Sequence, residues 1–274
     1  MKRPTLTHSP GARGFTLVEI LVALTIGMVL TLVVAQLFLG SRRTYATTDE
    51  VSRMQENIRF TYQLLTRTIH MGGYKSSPNT KVDQVFTVAT PVLVGLEGAS
   101  PASDSFTVSF QGNTNGTALD ASGNPLADGT VVDCQGVAIG AGVMSTNTFT
   151  IKVSPRSGRN ALFCHNGTLD QEIIPDVENM QVLYGVDNNT DLIVDTYMPA
   201  NLIANMNNVR SVRVALLFTT PAEVLPAPQV SGAPVAPATG EGPLNLNGVE
   251  FGPYTDRRVR RAVTFTVNMR NRTP

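Results

Sequence analysis

Phe15 to Leu39 reads FTLVEILVALTIGMVLTLVVAQLFL, and its only ionisable side chain is Glu19. A helix rises about 1.5 Å per residue, so this run is long enough to cross a hydrocarbon core of about 30 Å. It spans a membrane or is buried. Upstream lie Lys2, Arg3 and Arg13 with no acid among them. A secretory signal would combine such a basic start with a shorter apolar stretch and a small-residue cleavage site beyond it. Here no Ala-x-Ala pattern follows before the charged Ser41-Arg42-Arg43, so the segment reads as retained. Basic residues at both ends leave the charge rule for orientation balanced.

Beyond the apolar run the helical pattern continues. Val51, Met54, Ile58, Tyr62, Leu65 and Ile69 recur at steps of three or four, and no proline occurs between Phe15 and Met71. The spacing predicts one long helix, ended by Gly72 and Gly73. From Lys75 the period shifts towards two. Strands are predicted at Ser105–Phe110, Thr148–Val153, Val177–Tyr184, Val209–Phe218 and Val263–Met269. The proline-rich stretch from Thr220 to Glu250 reads as an exposed loop between paired strands.

At 274 residues and 42% hydrophobic composition, the chain can bury one sizeable core with an appended helix. Its 21 Lys and Arg balance 21 Asp and Glu, which leaves no global field to attract nucleic acid. Three histidines fall at positions 8, 70 and 165 without triad spacing, and no zinc, phosphate-loop or dinucleotide motif occurs. The reading is non-enzymatic, with no small-molecule substrate. Two cysteines, Cys134 and Cys164, are too few for a zinc cage and too distant for a redox pair, so one disulfide is expected.

Asp187, Asn189, Asp191 and Asp195 fall at positions one, three, five and nine of a calcium-loop spacing. Leu192 stands where that loop needs glycine, and Met198 where it needs the bidentate glutamate. An Asn/Asp-rich hairpin turn is the favoured reading, and no cofactor is expected. The arginines from Arg257 to Arg261 read as a solvated strand edge. Glu19 taken alone fits either a helix N-terminus favoured by the dipole or a buried carboxylate that needs a cation.

Arg13-Gly14-Phe15-Thr16-Leu17-Val18-Glu19 resembles the signal of type IV prepilins, a basic leader ending in Gly before an apolar helix with Glu at its fifth position. The resemblance implies a prepilin peptidase cutting between Gly14 and Phe15, N-methylation of Phe15, and a Glu19 that registers subunits by pairing with a neighbour's terminal amine. Many major pilins carry proline where this chain has Gln36. Met54-Gln55-Glu56-Asn57-Ile58-Arg59-Phe60 and Ile69-His70-Met71-Gly72-Gly73-Tyr74 resemble the PilW family of minor pilins, with His70 in place of an arginine and Gly72 of an alanine. Val177 to Gly185, the Val212 to Leu217 strand and Asp256 to Arg261 are similar to it as well.

The fold that this resemblance implies is α+β and pilin-like, a long N-terminal helix on a mainly antiparallel sheet. It divides the chain into a leader at 1–14, a membrane or filament-core helix at 15–39, an amphipathic continuation at 40–73 and a periplasmic head at 74–274. The implied function is pilus assembly or priming from the bacterial inner membrane, then residence in the filament or at its tip. Implied partners are other minor pilins, the major pilin, the inner-membrane assembly platform and a tip adhesin. Two alternatives stand beside it. One is a minor pseudopilin of a type II secretion system; the other is a membrane-tethered periplasmic binding protein that never polymerises.

Overall fold

The computed structural model describes residues 14–119, 121–123, 125–225 and 242–272. Most of the leader and the centre of the proline-rich stretch lie outside the described residues. The chain divides into two compact units, Met1–Thr48 and Asp49–Pro274. Helix α1 runs from Leu17 to Met71 and contributes to both. It starts two residues later than the periodicity predicts, because Thr16 caps it.

In the second unit, α1 is followed by a one-turn helix α2 (Val82–Val85) and then by strands. The first sheet has the order β1-β2-β5-β6-β7, with β1 at Leu93–Leu96, β2 at Ser105–Gln111, β5 at Met144–Val153, β6 at Asn160–His165 and β7 at Asp170–Pro175. The second has the order β13-β10-β8-β9, from β8 (Val177–Val186), β9 (Thr196–Met198), β10 (Val209–Thr219) and β13 (Arg260–Asn268). All pairings in both sheets are antiparallel. Two hairpins complete the unit, β3 (Thr114–Leu119) with β4 (Pro125–Ala127) and β11 (Leu244–Leu246) with β12 (Val249–Phe251).

One core joins helix and sheets. Met54, Leu65 and Ile69 of α1 pack with Phe106, Val108 and Phe149 of the first sheet and with Met180, Val182, Val212 and Val214 of the second. The buried stripe of α1 also includes Thr61 and Thr68, whose hydroxyls donate to the carbonyls of Asn57 and Leu64 and so bury no free polar group. Tyr62, assigned to that stripe by periodicity, is 47% exposed and meets Phe265 edge-on at 5.3 Å instead. Gln55, Glu56 and Arg59 are solvated, as their polarity dictates.

The continuous apolar run in β10 has a reason. Val212, Val214, Leu216 and Phe218 face the main core, while Ala215 and Leu217 face a second small cluster closed by Leu246. Both faces of this strand are covered, so the usual alternation disappears. The cover is the β11–β12 hairpin, which corrects the reading of an exposed loop from Leu244 to Glu250; residues 226–241 of that stretch lie outside the described residues. Leu246 is fully buried, and the Asn247 amide donates to the carbonyls of Gln181 and Arg213 at 2.8 and 3.2 Å. At the other end, Thr220 is buried and its N–H donates to the carbonyl of Val259. Proline content misled because the apolar Leu244 and Leu246 follow the last proline of the stretch.

Candidate functional site

Gly14 and Phe15 lie outside the helix and are exposed, and among the described residues nothing lies within 4 Å of where a Gly14 Cβ would stand. Among the described residues nothing covers the Gly14–Phe15 peptide. Two residues on, the Thr16 hydroxyl accepts a hydrogen bond from the Glu19 N–H at 3.2 Å, and the Thr16 N–H points back to the Glu19 carboxylate at 3.5 Å. This is a capping box, which satisfies two N–H groups that a helix start leaves without partners. Its signature, Thr-x-x-Glu, stands in the sequence. Within one subunit Glu19 thus has a local structural partner.

From there the helix presents apolar side chains to its surroundings. Phe15, Leu17, Leu24, Met28 and Leu37 are among the exposed large hydrophobic residues, and among the described residues nothing buries the most apolar part of the helix. Such an unbroken apolar surface requires lipid or other helices as its solvent. Its polar groups are managed internally. Thr25 and Thr31 donate their hydroxyls to the carbonyls of Val22 and Gly27 at 2.9 and 3.0 Å.

In the head, Cys134 and Cys164 form a disulfide, with both residues buried. Its loop is anchored on either side. Gln135 donates its amide to the carbonyls of Cys164 and Leu169, and the Asp133 carboxylate accepts from the N–H groups of Gln135 and Val137. Arg67 of α1 donates to the carbonyl of Asp133 at 3.2 Å.

The Asp187–Asp195 segment is a turn built from its own side chains. Asp187 accepts from the N–H groups of Thr190 and Leu192 and pairs with Arg210 at 3.1 Å. Burial pushes its carboxyl up, but the Arg210 and backbone hydrogen bonds outweigh that and hold it below the usual carboxylate value. Asn189 accepts from the Asp191 N–H, Asp191 from the Ile193 N–H and Asp195 from the Asn188 N–H. Among the described residues no three His, Cys, Asp or Glu side chains are grouped to hold a metal ion.

The arginine run is less solvated than its composition suggests. Arg260 is 7% exposed, pairs with Glu178 at 2.8 Å and with Asp256 at 2.5 Å, and stacks over Tyr254 at 3.7 Å. Arg257 pairs with Glu223 at the surface. The expectation of a wholly solvated edge fails at Arg260 because two carboxylates from different segments converge on it. Glu178 lies on β8, far away in sequence, so no local pattern announced it.

Known proteins resemble the chain at both ends. A family described as Type IV Pilus-assembly protein W matches residues 148–271, and one described as Prokaryotic N-terminal methylation motif matches residues 10–35. Pilin-like protein PilA3 of Thermus thermophilus is 32% identical over 83 residues, which cover 30% of this chain and 36% of that protein. The chain thus matches about a third of that relative's length. A solved Type IV-like pilin from Thermus thermophilus, TTHA1219, aligns over 81% of this chain and 99% of its own at 14% identity, with a TM-score of 0.44. The strands from β5 to β13 thus carry a match to the Type IV Pilus-assembly protein W family over residues 148–271, and the start of the long helix α1 carries a match to the N-terminal methylation motif over residues 10–35.

Proposed function

We propose that the chain is a minor pilin that acts in the assembly or priming of a type IV pilus. In this reading it is held in the bacterial inner membrane by the Phe15–Leu39 segment, with its head in the periplasm, and then enters the filament or its tip. The observation that carries it is the methylation motif at residues 10–35, set directly on a helix long and apolar enough to cross a membrane. A prepilin peptidase cuts the open Gly14–Phe15 bond, and Phe15 becomes the methylated N-terminus. Glu19 then exchanges its cap with Thr16 for the terminal amine of a neighbouring subunit, because a carboxylate in hydrocarbon costs several kcal/mol until a cation neutralises it. That exchange sets the register of the helices. Partners in this role are other minor pilins, the major pilin, the assembly platform and a tip adhesin.

The test has two arms. Mass spectrometry of the membrane fraction is expected to find a mature terminus at Phe15; an intact leader in a strain with active peptidase overturns the reading. Glu19→Ala is expected to leave the amount of processed protein unchanged while filament number per cell falls to that of a gene deletion. Normal piliation in that variant rejects the register role.

A further inference from the structure

Asp49–Pro274 contains a groove of about 950 Å³ at the C-terminal end of α1, bordered by the Gly73–Phe86 segment and by Arg270 and Asn271. The chain as a whole carries no net charge, yet this lining is cationic. Lys75, Lys81, Arg210 and Arg270 line it against a single carboxylate, Asp83. Arg210 is neutralised by Asp187. The Lys75 ammonium is held by the carbonyls of Pro78 and Thr80, which fix its position without cancelling its charge. Lys81 and Arg270 form no ion pair with any described residue, and both are exposed. The charge of Arg270 is felt nearby: His70 is held below its ordinary pKa by burial and by that guanidinium.

The remaining polar groups narrow the ligand. Asn79 and Asn207 line the same groove, and a carboxamide both donates and accepts. A peptide backbone offers both kinds of group, whereas a phosphodiester offers acceptors only. Asp83 can accept from a peptide N–H, a donor that a phosphodiester lacks. We propose that this groove docks an acidic, extended segment of a partner protein, with Lys75, Lys81 and Arg270 facing its carboxylates and Asn79 and Asn207 its main chain. The proposal does not depend on the pilus reading, since every element of the groove belongs to the head.

The experiment uses the full chain in neutral detergent micelles and a dye-labelled decapeptide of alternating Glu and Ser, followed by fluorescence anisotropy. Expected are binding that weakens with salt, at least tenfold weaker binding of the counterpart with Gln for Glu, and at least tenfold loss in the double variant Lys81→Glu with Arg270→Glu. Equal binding of the Gln peptide, no binding of the Glu peptide, or tighter binding of a labelled thymidine decanucleotide overturns the proposal. Should charge reversal unfold the chain, Lys81→Gln with Arg270→Gln replaces it. A loss under twofold in that folded variant also overturns the docking site.

Discussion

The Asn271 side-chain amide donates to the carbonyl of His70 at 2.9 Å, across 201 positions of sequence. It reaches the carbonyl of Met71 at 3.4 Å as well. The last carbonyls of a helix have no partner within it, so Asn271 closes the end of α1 from the far end of the chain. Gly73, with a φ of +80, turns the backbone away at the same place. Asn271→Ala is expected to lower stability by about 1 kcal/mol, as a shift in the urea midpoint of the full chain in detergent. Asn271→Asp should cost at least as much, since it places negative charge at the negative end of the helix dipole.

Gly95 and Tyr184 approach too closely for any side chain at 95. A Cβ there would stand 2.4 Å from the Tyr184 hydroxyl and 2.8 Å from the Ala200 Cβ. Gly95→Ala should therefore cost about 1–3 kcal/mol by forcing the core apart. The Tyr184 hydroxyl is itself buried without a hydrogen bond among the described residues, so Tyr184→Phe is expected to be neutral or mildly stabilising. In the double variant, the phenylalanine should recover part of the alanine's cost; a fully additive loss in thermal melts would contradict the close contact.

Arg260 holds Glu178 and Asp256 together beneath Tyr254. Replacing it by methionine leaves two carboxylates facing each other and should cost about 3 kcal/mol. The pair also has a pH signature. The hydrogen bond and charge of Arg260 hold Asp256 below its ordinary value of 3.8. Its contribution is therefore present above that value and lost as pH falls through the lower folded-state value. Stability curves of the wild type should drop more steeply below pH 3.8 than those of Arg260→Met. Parallel curves would exclude the linkage.

The disulfide between Cys134 and Cys164 closes a loop with a sequence separation of 30. In the chain-entropy model its removal costs about 3–4 kcal/mol. Cys134→Ala with Cys164→Ala should lower the urea midpoint accordingly, and wild-type protein in reducing agent should fall to the same value. If reduction leaves the midpoint unchanged, the bond does not constrain the unfolded chain as argued.

Leu246 covers Ala215 and Leu217 from outside the second sheet. Leu246→Ala should cost about 2–3 kcal/mol, since a fully buried side chain is removed at a site that closes only partly. Hydrogen exchange provides the sharper reading: protection should fall in the β11–β12 hairpin and persist in β8 and β10. Uniform loss across all four strands would mean that the hairpin is integral to the sheet and not a cover over it.

Local chemistry made the N-terminal quarter of this protein legible. An uninterrupted apolar run, the absence of proline to Met71, two glycines after it, and Gly14-Phe15 before Glu19 are signals between near neighbours, and a helix is stabilised between neighbours. The strongest strands, β2, β5, β8, β10 and β13, were readable for the same reason, since alternation and β-branching are local. The short strands β6 and β7 were not, because Asn160-Ala-Leu-Phe-Cys-His and Asp170-Gln-Glu-Ile-Ile-Pro carry too little period to separate strand from turn. Tertiary structure alone decided that Arg260 is buried between Glu178 and Asp256, that Leu246 caps a second face of β10, and that Asn271 finishes a helix begun at Leu17. Each of these joins residues far apart in the chain. Their free energy depends on a partner that folding brings near, and no spacing in the sequence records where that partner comes from.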